Sequence, residues 1–262
     1  MSRYLRLLGV QLRASLQVSM QYRVDFLIGS LMGLFWLGAN LAPMWIVWGR
    51  RGAVAGWSFP EAVLVVAWFT LLKALLEGAV QPSLIAVVEH IRKGTLDFVL
   101  LKPADAQFLI STAKFEPWSL MQVLAAAAMM GWSLRALALR PSLARIGAAA
   151  ALTVASALLL YSLAILVVSA AFWVVRLDNL IYLFNSIFDV GRWPQAVFRG
   201  LWRMLFTFVI PIALMTTSPA EALLGRLDGR TLALALVGAV VFAAAARAVW
   251  LRAIGHYTSA SS

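Results

Sequence analysis

Two opposite charges lie inside a stretch that is otherwise apolar, from Val63 to Val88. Lys73 and Glu77 are four residues apart, so they share one face of a helix. Charged side chains within a membrane span usually face the protein interior or a wet cavity, and they tend to pair. The pair therefore predicts one of two things: a part of a translocation path or subunit seam, or a mutually neutralised pair that stabilises helix packing.

No constellation for catalysis or metal binding accompanies this pair. The two histidines, His90 and His256, form no His-x-x-x-His motif and have no clustered carboxylates beside them, which argues against a metal site or a Ser–His pair. Cysteine is absent, which excludes disulfides and thiolate metal sites. A phosphate-binding P-loop needs a Gly-Lys pair, and the chain has none. We predict no catalytic residue, no metal and no cofactor bound by this chain.

The composition indicates what kind of elements position these residues. Of the 262 residues, 63% are hydrophobic and 13% are charged, whereas soluble domains carry about 25% charged residues. Too few polar side chains are available to cover a soluble globule, so we expect an integral membrane protein. The net charge of +11 is then better explained by cytoplasmic loops and contact with membrane lipids than by nucleic acid, for which we predict no binding.

Continuous apolar runs rich in Ala and Leu favour α-helices rather than strands. The predicted fold is all-α and forms one domain over 1–262, with an N-terminal interfacial amphipathic helix over 3–22. The alternative for 3–22 is a basic flank of the first span. A span needs about 20 apolar residues. We predict six spans, at 24–48, 62–88, 105–134, 144–175, 178–193 and 231–252.

Residues 176–203 allow two interpretations. In the first, 176–200 is a cytoplasmic amphipathic stretch and 201–218 crosses the membrane. In the second, 178–193 is a short fifth span and 195–225 forms a re-entrant helical hairpin before the last span. Without this region, ten Lys and Arg residues lie on the side of the two termini and seven on the other, which predicts cytoplasmic termini. Charge counting favours the first interpretation.

The loop after the second span carries a specific motif. Residues 88–103 read VEHIRKGTLDFVLLKP. This loop resembles the cytoplasmic loop of the export-type (type 2) ABC transporter permeases, where a charged pair precedes Gly-Thr-Leu, and Leu-Leu and Pro follow a few residues on. It is most similar to a subfamily with Leu-Asp and Leu-Lys-Pro at these positions.

The motif also has a physical explanation. Gly94 permits an unusual backbone angle after the second span, and Pro103 ends a short helix on which Leu96, Val99 and Leu100 share one side. Such a helix at the membrane face can dock into a groove of a soluble partner; the resemblance implies that it is the coupling helix of 89–103 and that the partner is the ATP-binding subunit. The alternative is an ordinary loop with a turn and a cap. The predicted coupling residues are Glu89, Arg92, Lys93, Gly94, Thr95, Leu96, Asp97, Leu100, Lys102 and Pro103.

A second region also resembles the family. GRWP at 191–194 and VIP at 209–211 are similar to the Gly-aromatic-Pro and later Pro of the family's outer re-entrant hairpin, and 218–225 resembles the subfamily. On this resemblance we expect the hairpin over 195–225, although charge counting favours the other interpretation. Its predicted marks are Gly191, Trp193, Pro194, Pro211 and Pro219.

The resemblance implies a function as well. It implies the permease subunit of an ATP-driven exporter in the bacterial cytoplasmic (inner) membrane, paired with a second copy or a related permease and with two ATP-binding subunits that hold ATP and Mg. Two alternatives from the residues stay open. A secondary transporter or channel, supported by Lys73 and Glu77, would need inverted repeats or a selectivity element, and we see no convincing internal repeat. A membrane-embedded enzyme acting on lipid would need a catalytic constellation.

Overall fold

The computed structural model describes residues 2–173, 178–198, 200, 202 and 211–257. Within these ranges regular structure is helical except for one small two-stranded hairpin. Four described helices are long and apolar enough to cross a membrane, and they cover Arg23–Arg50, Phe59–Arg92, Leu143–Phe172 and Gly229–Ile254. The prediction of an all-α membrane protein is confirmed at this level, and the count of six spans stays a prediction.

The first two helices precede the hairpin. Helix α1 (Ser2–Gln21) covers the predicted interfacial segment, and α2 (Arg23–Arg51) follows after one residue. Strands β1 (Ala53–Val54) and β2 (Trp57–Ser58) pair antiparallel. Their two-residue turn has positive φ at both positions, Ala55 at 51° and Gly56 at 83°, as a right-twisted hairpin requires. We call this the β-hairpin end of the bundle, and the opposite end, where α1 meets residues 93–105, the α1 end.

The central helix is continuous from residue 59 to residue 92 but changes its winding halfway. Helix α3 (Phe59–Leu75) passes through a π-helical turn (Leu76–Val80) into α4 (Gln81–Arg92). The Gly78 carbonyl in this turn accepts a hydrogen bond from the Glu116 N–H at 2.7 Å. The Ser119 side chain fills the space beside Gly78, where a Cβ would lie 2.0 Å from the Ser119 Oγ. Single π-helical turns within α-helices occur often at functional sites.

The predicted third span, 105–134, is not one continuous helix. The short helices α5 (Asp97–Leu100) and α6 (Ala106–Ser111) come first, and α7 (Leu120–Ala136) begins only after a 3₁₀ turn at Pro117–Ser119. The break has a local cause, because a residue before proline is pushed out of the helical region, and Glu116 is extended at φ −111° and ψ 96°. The apolar composition of the segment does not by itself predict this break in the helix.

The C-terminal half packs around one long helix. Helix α8 (Leu143–Ser169) ends earlier than the predicted 144–175 span and continues as a 3₁₀ turn to Phe172. Helix α10 (Ile212–Leu224) and helix α11 (Gly229–Ile254) both pack along α8. One apolar core lies between α4, α8 and α11, and a second lies towards the β-hairpin end around α3, α8 and α10.

The predicted fifth span is a short helix followed by tight turns. Helix α9 (Asp178–Phe188) has 11 residues, or about 16 Å at the usual rise, and it continues as 3₁₀ turns at Asp189–Arg192 and Gln195–Val197. Helix α10 covers the segment predicted as the second arm of the 195–225 hairpin. Residues 199, 201 and 203–210, which would form most of its first arm, lie outside the described residues.

Candidate functional site

The predicted coupling loop is an ordered segment with a buried and an exposed side. After α4 ends, Gly94 takes a positive φ of 65°, a conformation that glycine adopts readily. The Thr95 N–H donates to the His90 carbonyl at 2.9 Å, and the Thr95 hydroxyl lies 2.8 Å from His90 Nδ1. These bonds fix the start of α5. Glu89 and Lys93 form an exposed i,i+4 ion pair just before it.

The burial of α5 shows which of its side chains face the bundle and which face outward. Leu96 is fully buried at 0% exposure, and Val99 packs against the core beside it. The side chains that face outward are Phe98 at 70% and Leu101 at 80% exposure, three residues apart and hence on one face. Neither was among the coupling residues predicted from the sequence. The predicted Arg92, Lys102 and Pro103 are exposed, and Asp97 and Leu100 are half-buried.

Helix α1 holds the far end of this loop. The Arg3 guanidinium donates to the Pro103 carbonyl, and the Asp105 N–H donates to the Tyr4 hydroxyl at 3.3 Å. The Tyr4 ring packs edge-on against Phe108 with centroids 4.8 Å apart. The loop is therefore tied to the bundle at both ends, and its outward face lies between the two attachments.

A polar network continues from the loop into two long helices. Asp105 caps α6 by accepting from the Phe108 N–H at 3.0 Å, and it forms an ion pair with Arg247 of α11. The hydrogen bond from Arg247 holds the pKa of Asp105 below its usual value, against the opposing effect of partial burial. Arg247 also donates to Gln107 at 2.6 Å, whose amide donates to the Tyr161 hydroxyl of α8 at 2.9 Å. We call Asp105, Arg247, Gln107 and Tyr161 the relay; its long-range pairs gave no signal in the sequence.

Lys73 and Glu77 are brought together as the helical spacing predicted, but Lys73 has a stronger partner. Its Nζ lies 2.9 Å from the Asp189 carboxylate and 3.8 Å from that of Glu77. Glu77 instead accepts a hydrogen bond from the Gln122 amide at 3.1 Å. Asp189 was missed as a site residue, although an acid within a predicted span is itself a candidate for pairing.

Lys73 and Glu77 line a partly open cavity of about 630 Å³ between α2, the α3–α4 helix, residues 114–122 and α9. Its volume lies in the range of small-molecule sites, about 300–1,000 Å³. Its walls combine aromatic, amide and charged side chains. The lining includes Trp36, Asn40, Phe69, Lys73, Glu77, Lys114, Glu116, Trp118, Gln122 and Asn185.

Among the predicted hairpin marks, Gly191 and Trp193 make contacts with α10 and α2. Gly191 accepts a hydrogen bond from the Thr216 hydroxyl of α10 at 2.8 Å, and Trp193 stacks on Trp48 of α2 with centroids 6.2 Å apart. Pro194 and Pro211 are buried, and Pro219 is buried inside α10. These contacts bring 191–195 beside the middle of α10, where the Gln195 N–H also donates to Thr217 at 3.2 Å.

The comparisons with known proteins complete this picture. Within the described residues no group of three His, Asp or Glu side chains could hold a metal ion. The sequence model of the ABC-2 family transporter proteins matches residues 34–261. No curated protein and no solved structure matches the chain. Because the family match spans most of the sequence, the chain belongs to the ABC-2 family of transporter proteins, as a permease of an ABC transporter.

Proposed function

We propose that this permease is the membrane-spanning subunit of an ATP-driven exporter in the bacterial cytoplasmic membrane, with both termini on the cytoplasmic side. It works with a second permease, identical or related, and with two ATP-binding subunits that hold ATP and Mg. The chain has no Gly-Lys pair and hence no P-loop of its own, so hydrolysis falls to those subunits. The single observation that carries the proposal is the outward face of α5.

That face has the chemistry of a docking site. Phe98 and Leu101 are large apolar side chains held outward on a loop that both flanking segments fix. A short helix with apolar anchors three residues apart fits a groove on a folded partner. Glu89, Lys93 and Lys102 are exposed charged side chains of the same segment, and charged side chains of this kind are typical of the polar rim around an interface core.

The resemblance of the loop to the subfamily with Gly-Thr-Leu-Asp and Leu-Lys-Pro supports the same assignment for the whole 89–103 segment. Within it the residues divide by task. Gly94, Thr95 and Leu96 build the loop, since they form its turn, its hydrogen bond and its buried side. Phe98 and Leu101 make the contact, and Asp105 passes movement of the loop to α11 and α8 through the relay.

The docking face can be tested by changing its two anchors. We expect Phe98→Asp and Leu101→Asp each to weaken association with the co-expressed ATP-binding subunit at least tenfold, because a buried unpaired carboxylate is strongly unfavourable. The measurement is co-purification with the tagged permease in detergent, followed by the ATPase rate of the recovered complex. Leu143→Asp is the matched control, an exposed leucine at the β-hairpin end, and it should assemble like the wild type.

A complex of either anchor variant that assembles and hydrolyses ATP like the wild type would contradict the proposal. Leu96→Asp is not a suitable test, because it places a carboxylate in the core and would lower the stability of the loop itself.

A further inference from the structure

The partner of Lys73 changes the charge balance of the cavity. If Lys73 and Glu77 neutralised each other, the cavity would hold no free charge at this depth. Asp189 takes the closer position at 2.9 Å, and Glu77 stands 3.8 Å away. Lys73 therefore has two carboxylates for one positive charge. Glu77 lines the cavity and is the more distant partner of Lys73, so it is the carboxylate that remains available to an occupant.

The other cations near the cavity do not cancel this charge. Lys114, which also lines the cavity, is paired with Glu116 at 3.3 Å. Arg192 donates to Asn40 of α2, whereas Glu77 is held at the level of Gly33, where the Gln122 side chain packs. Asn40 is seven residues beyond Gly33, about 10 Å farther along the helix. The negative charge at Glu77 is thus local.

The surroundings of Glu77 suit a cation with apolar substituents. Trp36 lies about one turn from Gly33 on α2 and lines the cavity. On the other side, Trp118 packs against Gly29, where a Cβ would be 3.0 Å from its ring. The faces of aromatic rings attract organic cations. Gln122 is 6% exposed and its Oε1 accepts no hydrogen bond, which leaves an unsatisfied acceptor beside the carboxylate.

We propose that this cavity binds a hydrophobic organic cation, with Glu77 as its counter-ion and Trp36 and Trp118 as its apolar walls. Asp189 serves as the positioning residue, since it holds Lys73 away from Glu77. The physiological meaning of such binding, as the substrate class of the exporter, rests on the proposed function. The binding itself requires neither ATP nor the ATP-binding subunits.

Two ions of the same shape and opposite charge test this proposal, tetraphenylphosphonium and tetraphenylborate. The full-length permease is placed in nanodiscs of phosphatidylcholine, and equilibrium binding is measured against empty nanodiscs. We expect saturable binding of the phosphonium ion and no saturable binding of the borate. Glu77→Gln should weaken phosphonium binding at least tenfold. Asp189→Asn should weaken it as well, because Lys73 would then pair with Glu77.

A variant that is expected to bind the phosphonium ion more tightly distinguishes a specific effect on binding from misfolding. Lys73→Met removes the cation and should tighten phosphonium binding several-fold, which a misfolded protein could not do. Asp228→Asn is the control, an exposed carboxylate at the β-hairpin end where Asn caps a helix as well as Asp does, and it should leave the affinity within twofold.

Equal binding of the two ions, absence of phosphonium binding, or unchanged affinity in both Glu77→Gln and Lys73→Met would each overturn the proposal. These outcomes are independent of the docking experiment. A permease that assembles through Phe98 and Leu101 but binds no cation keeps its function and loses this substrate class. One that binds the cation but fails to assemble loses the exporter assignment.

Discussion

Breaking the ion pair between Asp105 and Arg247 should reduce coupling far more than it reduces stability. Asp105→Asn keeps the cap of α6, because Asn is as good an N-cap as Asp, and removes only the charge that Arg247 contacts. Arg247→Gln removes the guanidinium from both Asp105 and Gln107. The two variants and their double form a cycle that isolates the pair.

The magnitude follows from the exposure of the pair. Hydrogen bonds to charged groups stabilise a fold by about 1.5–3 kcal/mol when buried, and exposed ion pairs by about 0.2–1 kcal/mol. The two side chains are 39% and 37% exposed, so we expect about 1 kcal/mol for Asp105→Asn. Arg247→Gln should lose about 1–2 kcal/mol, because its bond to Gln107 is also lost. A chain of this size then melts about 2–4 °C lower for each kcal/mol.

The assay compares two readouts on the same preparations. Thermal unfolding of the purified permease gives the stability, and the ATPase rate of the assembled complex, relative to the free ATP-binding subunit, gives the coupling. If the relay transmits loop movement to α11 and α8, both variants should lose most of that difference in rate while they still bind the ATP-binding subunit. A double variant whose losses equal the sum of the single losses would refute the pairing, and normal ATPase rates would refute transmission.

The same pair gives a pH dependence of defined sign. The Arg247 hydrogen bond holds the pKa of Asp105 below its usual value in the folded protein. A carboxyl with a depressed pKa stabilises the fold above its unfolded pKa, about 3.9, and this contribution disappears as the pH falls through the folded value. The melting temperatures of the wild type and Asp105→Asn should differ at pH 7 and converge below about pH 4. A difference that persists or widens at low pH would contradict this.

Two further predictions concern the central helix and the topology. Gly78→Ala should lower stability by about 1–3 kcal/mol, the usual effect of overpacking, since its Cβ would overlap Ser119, whereas Gly38→Ala, with open space around it, should not destabilise the protein in a thermal melt. Because the chain has no cysteine, Ala196→Cys and Ala55→Cys can be labelled alone with a membrane-impermeant maleimide on intact cells. Both should react if 195–225 is an outer re-entrant hairpin; reaction of Ala55→Cys alone would favour a cytoplasmic 176–200.

The long helices could be read from the sequence because a run of about 20 apolar residues has few other ways to satisfy its backbone in a membrane. Helices over 23–51, 59–92 and 229–254 surround the predicted spans within a few residues. The break at 112–119 escaped prediction because apolar content says nothing about the backbone before Pro117 or about the π turn that receives Glu116. The break and the π turn both depend on local hydrogen bonds to a neighbouring segment.

The predicted coupling segment shows how little the sequence of a short element says about its orientation. Its motif predicted where the chain turns, since Gly94 and Thr95 act through bonds to their immediate neighbours. It did not predict which side of α5 faces out, because four residues are too few to establish a helical period. Leu96 and Leu101 look equivalent in the sequence, and only packing against the bundle separates the buried one from the exposed one.

The charged cluster shows a different limit, because it depends on which segments meet. Four-residue spacing predicted that Lys73 and Glu77 would be neighbours. It left open whether they belong to a translocation path or subunit seam, or stabilise helix packing as a mutually neutralised pair. The answer depends on Asp189, which is 116 residues from Lys73 in sequence and reaches it only because α9 is short and ends beside α3. Because Asp189 pairs with Lys73, Lys73 and Glu77 do not simply neutralise each other. Glu77 is then a carboxylate that lines the cavity. This arrangement favours the path, and it is why Lys73→Met and Glu77→Gln should change cation binding in opposite directions.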